Sequence, residues 1–225
     1  MTPASPPALV YRGPASLPGC AEAMASAITA SGVPVGYAGP GEAYRPAPER
    51  YPALRLWVQP GGGELEQAWP HLRRRADGIR RFVAGGGTYL GVCLGGYLAG
   101  HTPGFGLLPG DTDQYVGAPG AELRHTHDAV IEVDWEGHRR SVFFQDGPRF
   151  DLDHSAEVRV LARYRDGSPA ALVTGYGRGR VVVCGPHPEA TAEWFRAAGL
   201  RVPLPGTGDL AARLVGAALG GSTSG

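Results

Sequence analysis

The chain has 225 residues, with 21 basic and 21 acidic side chains and a formal charge of zero, a length that suits one large domain or two small ones at most. Hydrophobic residues make up 43% of it, which argues for a packed core and against wholesale disorder; the balanced charge speaks against a general nucleic-acid binder, which needs a basic stripe. Neither Lys nor Asn occurs, so every basic residue is Arg. That excludes a Walker A phosphate loop, Schiff-base chemistry, a Ser–Lys dyad, protein-kinase machinery and a papain-type Cys-His-Asn triad.

Stretches with β-like and helix-like patterning alternate from the start. Residues 8–12 form a short apolar strand ended by Gly13-Pro14, and residues 18–31 are rich in Ala and helical, with Gly32 at the C-terminal position. Strands are expected over 33–38 and 54–58, the second running into Pro60-Gly61-Gly62-Gly63. Residues 64–84 are amphipathic and helical, kinked or split at Pro70. The Arg73-Arg74-Arg75 and Arg80-Arg81 cluster is expected on the solvated face of that segment.

A fourth strand is predicted over 88–92, followed at once by a helix over 94–99. Residues 101–126 are Gly/Pro-rich and are expected to be an excursion from the core. Alternating strands follow over 130–135, 141–144, 157–164, 170–174 and 178–184, and helices over 191–198 and 209–219 close the pattern. A βαβ-type first half followed by meander strands predicts an α/β layered sandwich, with a mainly parallel central sheet. A single domain over residues 1–220 is expected, with a disordered tail over 221–225. The 36 glycines and 21 prolines, about a quarter of the chain, follow no collagen-like period and read as turns and loops.

Residues 1–8 have no charged n-region, and no apolar run reaches the ~18 residues of a membrane span. Neither an export signal nor membrane insertion is therefore expected. Three cysteines, Cys20, Cys93 and Cys184, have no zinc-like spacing and cannot form a disulfide framework. They point to a reducing cytoplasm, with no metal site and no cofactor.

The chemistry centres on Gly91-Val92-Cys93-Leu94-Gly95-Gly96, which lies between a predicted strand and a predicted helix. This is G-x-C-x-G, the cysteine form of the nucleophile elbow. A sharp strand-to-helix turn holds the nucleophile in a strained backbone conformation, and its neighbours must be small. The Leu94 N–H then faces the reacting carbonyl and can hold an oxyanion. A cysteine nucleophile needs a base, and the base an orienting group. The run Cys184-Gly185-Pro186-His187-Pro188-Glu189 follows an apolar strand and offers both. Residues two apart in extended chain point the same way, so Glu189 can fold back on His187 while the other ring nitrogen faces the thiol. The Gln59-Pro60-Gly61-Gly62-Gly63 turn is read either as an ordinary βα turn or as the second source of oxyanion-binding N–H groups.

The GVCLGG elbow, the downstream HPE and the PGGG loop together resemble the class I glutamine amidotransferase-like superfamily and its flavodoxin-like fold. More narrowly, VYRGP, residues 79–100, FFQDGPRF (143–150) and GRGRVVVCGPHPE are similar to the N-terminal domain family of biotin-protein ligases. The resemblance implies Cys93 as nucleophile, His187 as general base and acid, and Glu189 as orienter. It also implies main-chain donors from Leu94, Gly61 and Gly62. Gln145 and Asp146 would lie beside the pocket, and Tyr97 could line it. The implied activity is a cysteine-dependent amidohydrolase or acyltransferase acting through an acyl-thioester on a small molecule or peptide, with a homodimer or a partner enzyme as further expectations.

True glutaminases of this superfamily usually carry a His-Gln pair after the elbow, where this chain has Gly96-Tyr97, which weakens glutamine as the substrate. The Gly177-Arg178-Gly179-Arg180 turn echoes the GRGR loop of biotin-ligase catalytic domains, but biotin ligation also relies on a lysine that is absent. Two alternatives stay open. A relative of the DJ-1/PfpI group, a hydratase or glyoxalase, would usually place a carboxylate near the end of the first strand, where Gly13-Pro14-Ala15-Ser16 has none. A non-catalytic binding module would keep the fold alone.

Overall fold

The computed structural model describes residues 6–220. The tail expected over 221–225 lies outside the described residues, as does the start of the N-terminal segment, residues 1–5. The first half alternates as predicted: β1 (Ala8–Tyr11), α1 (Cys20–Ala30), β2 (Val35–Ala38), β3 (Leu56–Gln59), α2 (Leu65–Leu72), α3 (Ala76–Ala84), β4 (Thr88–Val92) and the single-turn α4 (Leu94–Tyr97). Pro70 is accommodated inside α2, and the amphipathic segment breaks instead at a 3-10 turn over Arg73–Arg75. Those three arginines are exposed, on the solvated face expected for them.

The second half is a meander: β5 (Gly110–Gln114), β6 (Ala129–Trp135), β7 (His138–Phe144), β8 (Pro148–Leu152), β9 (Val158–Tyr164), β10 (Pro169–Tyr176) and β11 (Gly179–Cys184), then α5 (Ala192–Ala197) and α6 (Gly208–Leu219). β5 and β8 were not foreseen. They form a separate antiparallel ribbon, with β5 inside the 101–126 excursion.

The remaining nine strands form one sheet in the order β2-β1-β3-β4-β11-β10-β9-β6-β7. Pairing is parallel from β2 to β11 and antiparallel from β11 to β7. This is the α/β architecture expected, parallel in its core with an antiparallel extension. Alternate residues feed two separate cores, as the period of two requires. Ala8, Val10, Val58, Leu90 and Val182 pack under α1 and α6. Leu9, Tyr11, Trp57, Tyr89 and Val181 pack under α2 and α3 on the other face.

The extension curls. β7 lies four strands from β11 in the sheet order, yet its end returns to the end of β11, where Phe143 bridges His187. That return brings the 145–148 loop over the parallel core.

Candidate active site

β3, β4 and β11 are adjacent and parallel, and their registers pair Gln59 with Gly91 and Cys184 with Val92. All three therefore end at one edge of the sheet, where open α/β folds place their ligands. Cys93 follows β4, Gly61 and Gly62 follow β3, and His187 and Glu189 follow β11. The order of strands alone brings these distant segments together.

Cys93 has φ 52 and ψ −110, a sparsely populated positive-φ conformation that costs a non-glycine residue about 1–3 kcal/mol. Its surroundings hold it there. The Cys93 N–H donates to the Cys184 carbonyl at 2.8 Å, and the Tyr89 hydroxyl donates to the Gly95 carbonyl at 2.7 Å. The turn closes only because Gly95 has no side chain: a Cβ there would lie 2.0 Å from the Gln59 carbonyl oxygen. This is the strained strand-to-helix elbow that G-x-C-x-G implied.

His187 is fully buried. Its N–H donates to the Phe143 carbonyl at 2.8 Å, and its ring sits against the edges of Phe143 and Trp194. Nδ1 is 2.8 Å from Glu189 Oε1 within the buried interior, so the carboxylate does fold back on the imidazole. Nε2 has no hydrogen-bond partner of normal geometry, because the Cys93 thiol donates to the Gln145 carbonyl instead, at 3.2 Å. Burial alone would push His187 down, but the charges of Cys93 and Glu189, with the hydrogen bond to Glu189, outweigh it and hold His187 above its ordinary value. Burial first, then the negative charges of Glu189 and Cys93, push both Cys20 and Cys184 up.

Gly61 fills the gap between Cys93 and His187. A Cβ at this position would meet His187 Cε1 at 2.5 Å and Cys93 Cβ at 3.2 Å. The N–H groups of Leu94, Gly61 and Gly62 make no hydrogen bond within the described residues, which leaves them available to a ligand.

A cleft of about 450 Å³ opens over Cys93. Leu94, Gly62, Tyr97, Gln145 and Asp146 all line it, so the expected pocket residues are brought together. Asp146 adopts φ 47 and accepts both contacts of the Gln114 Nε2 amide at 2.9 Å. Burial, then the negative charges of Asp146 and Cys93, push the Tyr97 phenol up, which keeps it a hydrogen-bond donor. Glu64, Glu66, Gln114 and Asp128 also line the cleft and had not been singled out in the sequence. They are scattered over three segments and carry no motif. The loop after β1 reaches the cleft through Leu17 and places no carboxylate there. Among the described residues no group of His, Cys, Asp and Glu is arranged to hold a metal ion, and no helix is long and apolar enough to cross a membrane.

Residues 51–113 match the family model described as biotin-protein ligase, N terminal. The chain is 29% identical over 172 residues to a biotin–protein ligase of Schizosaccharomyces pombe, an alignment covering 64% of this chain and 27% of that protein. It thus spans about a quarter of the ligase. It is 31% identical over 154 residues to the imidazole glycerol phosphate synthase subunit HisH of Rhodopirellula baltica, covering 61% of this chain and 72% of that subunit. Among solved structures, a glutamine amidotransferase superposes with a TM-score of 0.62 at 20% identity, over 86% of this chain and all of that one.

Proposed function

Because the chain belongs to the class I glutamine amidotransferase-like family, we propose that it is a cysteine-dependent amidohydrolase or acyltransferase whose triad is Cys93, His187 and Glu189. The observation that carries this reading is the buried Nδ1–Oε1 bond of 2.8 Å between His187 and Glu189, set beside a cysteine on a strained elbow. An imidazole buried without a partner on Nε2 is costly unless that nitrogen has work to do.

The Cys93 thiolate attacks the carbonyl carbon of an amide, ester or thioester. A C–S bond forms, and the carbonyl pair moves onto oxygen. The N–H groups of Leu94 and of the Gly61–Gly62 turn hold that oxyanion. The His187 imidazolium gives its Nε2 proton to the leaving group as the scissile bond breaks, leaving an acyl-thioester. Water or an amine then attacks the thioester and passes its proton to Nε2. The sulfur leaves as thiolate, and the resting pair is restored. Glu189 keeps Nδ1 protonated and the ring oriented throughout.

Gly96-Tyr97 stands where glutaminases carry His-Gln, so a donor other than glutamine fits better. The HisH relative is a synthase subunit, which supports a partner enzyme that receives the transferred group. The absence of any cleft carboxylate from the loop after β1 disfavours a DJ-1/PfpI-type hydratase or glyoxalase.

The test is intact-mass spectrometry after incubation with a panel of amides and thioesters. The expected result is an acyl adduct that maps to Cys93 and is missing from a folded Cys93→Ala variant. Undiminished turnover by that variant would end the proposal.

A further inference from the structure

The cleft over Cys93 carries charge of a single sign. Four carboxylates line it, those of Glu64, Glu66, Asp128 and Asp146, and no arginine or histidine does. The chain as a whole is neutral, so this concentration is local. Among the described residues none of the four takes part in an ion pair.

Two of the four are held by neutral amides. Asp146 accepts from Gln114 Nε2 at 2.9 Å, and Asp128 accepts from Gln145 Nε2 at 2.9 Å. An amide orients a carboxylate without cancelling its charge, which an arginine would do. Elsewhere this protein uses arginine freely for that purpose, as in the Arg12–Glu42, Arg140–Asp209 and Arg149–Asp113 pairs. Glu64 and Glu66 stand at the start of α2, on the rim. Tyr97 adds an aromatic face to the same cleft, the second element of a cation-binding surface. Cys93 lines the same cleft.

We propose that this cleft selects carbonyl substrates bearing a cation, a protonated or quaternary amine or a guanidinium, and turns away those that end in a carboxylate or phosphate. The inference rests on Cys93 being the nucleophile and names the class of substrate it meets. A concave site lined by one sign of charge focuses its field inward and raises the local concentration of the opposite charge. The uncompensated carboxylates serve this purpose, and they are satisfied when the cation is bound.

The experiment uses three p-nitrophenyl esters of equal chain length that end in trimethylammonium, tert-butyl or carboxylate. The first two share a shape and differ in charge. In each case the Cys93 sulfur bonds to the acyl carbon and p-nitrophenolate leaves, so nitrophenolate release and the Cys93 adduct mass report one event. At low ionic strength the trimethylammonium ester should acylate on the order of tenfold faster than the tert-butyl ester, with the carboxylate ester slowest. The ratio should shrink in about 1 M salt, where screening shortens to a few ångströms, and in the Glu64→Gln/Glu66→Gln variant. Equal rates for all three esters with Cys93 labelled, or a faster carboxylate ester, would overturn the inference and leave the nucleophile intact. Failure of every ester to label Cys93, or equal labelling of Cys93→Ala, would remove both.

Discussion

The Cys93 thiol points its hydrogen bond at the carbonyl of Gln145, 3.2 Å away, and not at His187, whose Nε2 is left without a partner. The two acceptors flank the sulfur from different parts of the chain, one from the loop after β7 and one from the loop after β11.

Glu189→Gln keeps the shape of the orienting group and removes its charge. A fall in kcat of roughly 10²–10⁴-fold is expected. The pH dependence gives a separate readout. Glu189 is one of the charges that raise His187, so the wild-type imidazolium persists above the ordinary histidine range and its proton is lost only as pH rises through that elevated value. In the variant the value drops, and the alkaline limb of the rate with an anilide substrate should move to lower pH. Superimposable pH profiles would show that the carboxylate does not tune the imidazole.

Gly61→Ala adds one methyl group against the triad. The new Cβ would lie 2.5 Å from His187 Cε1, and His187 cannot retreat because Phe143 and Glu189 hold it. Displacement of reactive groups by a fraction of an ångström to an ångström costs on the order of 10²-fold in kcat. Overpacking costs about 1–3 kcal/mol in stability. Steady-state kinetics and urea unfolding on the same preparation would separate the two effects.

Phe144→Ala tests the curled extension. Phe144 is fully buried and meets the rings of Tyr115 and Tyr164 edge-on, so its truncation should destabilise by about 3–5 kcal/mol. Its neighbour Gln145 supplies the carbonyl that positions the thiol. Alkylation of Cys93 by iodoacetamide should therefore change rate as well, in conditions where the variant remains folded.

Asp209→Asn probes the tie between β7 and α6. Asp209 takes both guanidinium nitrogens of Arg140, at 2.6 and 2.7 Å, and that hydrogen bonding, working against burial, holds its carboxyl below the usual value. A carboxyl lowered in the folded state stabilises above its unfolded value, near 4, and loses that contribution as pH falls through the folded one. The carboxylate is half exposed, so the contribution is under about 1 kcal/mol. The wild type should melt above the variant at pH 6, and the gap in Tm should close as the pH falls below 4. A gap unchanged at low pH would rule the ion pair out as its source.

The parallel core was readable because β1, β3, β4 and β11 are short apolar runs with a glycine or proline close behind each, and the elbow because Gly91 and Gly95 stand two residues to either side of Cys93. β5, GDTDQ, was not, since it is polar and without alternation, and β8, PRFDL, alternates but is only five residues long and opens on a proline. Their pairing with each other, not any intrinsic preference, makes them strands. The split at Arg73–Arg75 was expected at Pro70, but Pro70 is the sixth of the eight residues of α2, where it removes one ladder bond and the helix absorbs it. The return of β7 to His187 depends on how the antiparallel strands twist and coil, which no local pattern encodes. The carboxylates of the cleft come from residues 64, 66, 128 and 146, a set that only the folded chain brings to one place.

The curl that joins β7 to the loop after β11 also sets the order in which this protein comes into being. β4 emerges from synthesis with its cysteine well before β11 exists to pair with it, and the Gln145 carbonyl lies 52 residues downstream of the thiol. Long-range pairings close late in folding. Until the C-terminal segment has docked, the cysteine has no imidazole beside it, no elbow to strain it and no acidic cleft above it. The surroundings of Cys93 are complete only when the last strand of the sheet slots between β4 and β10.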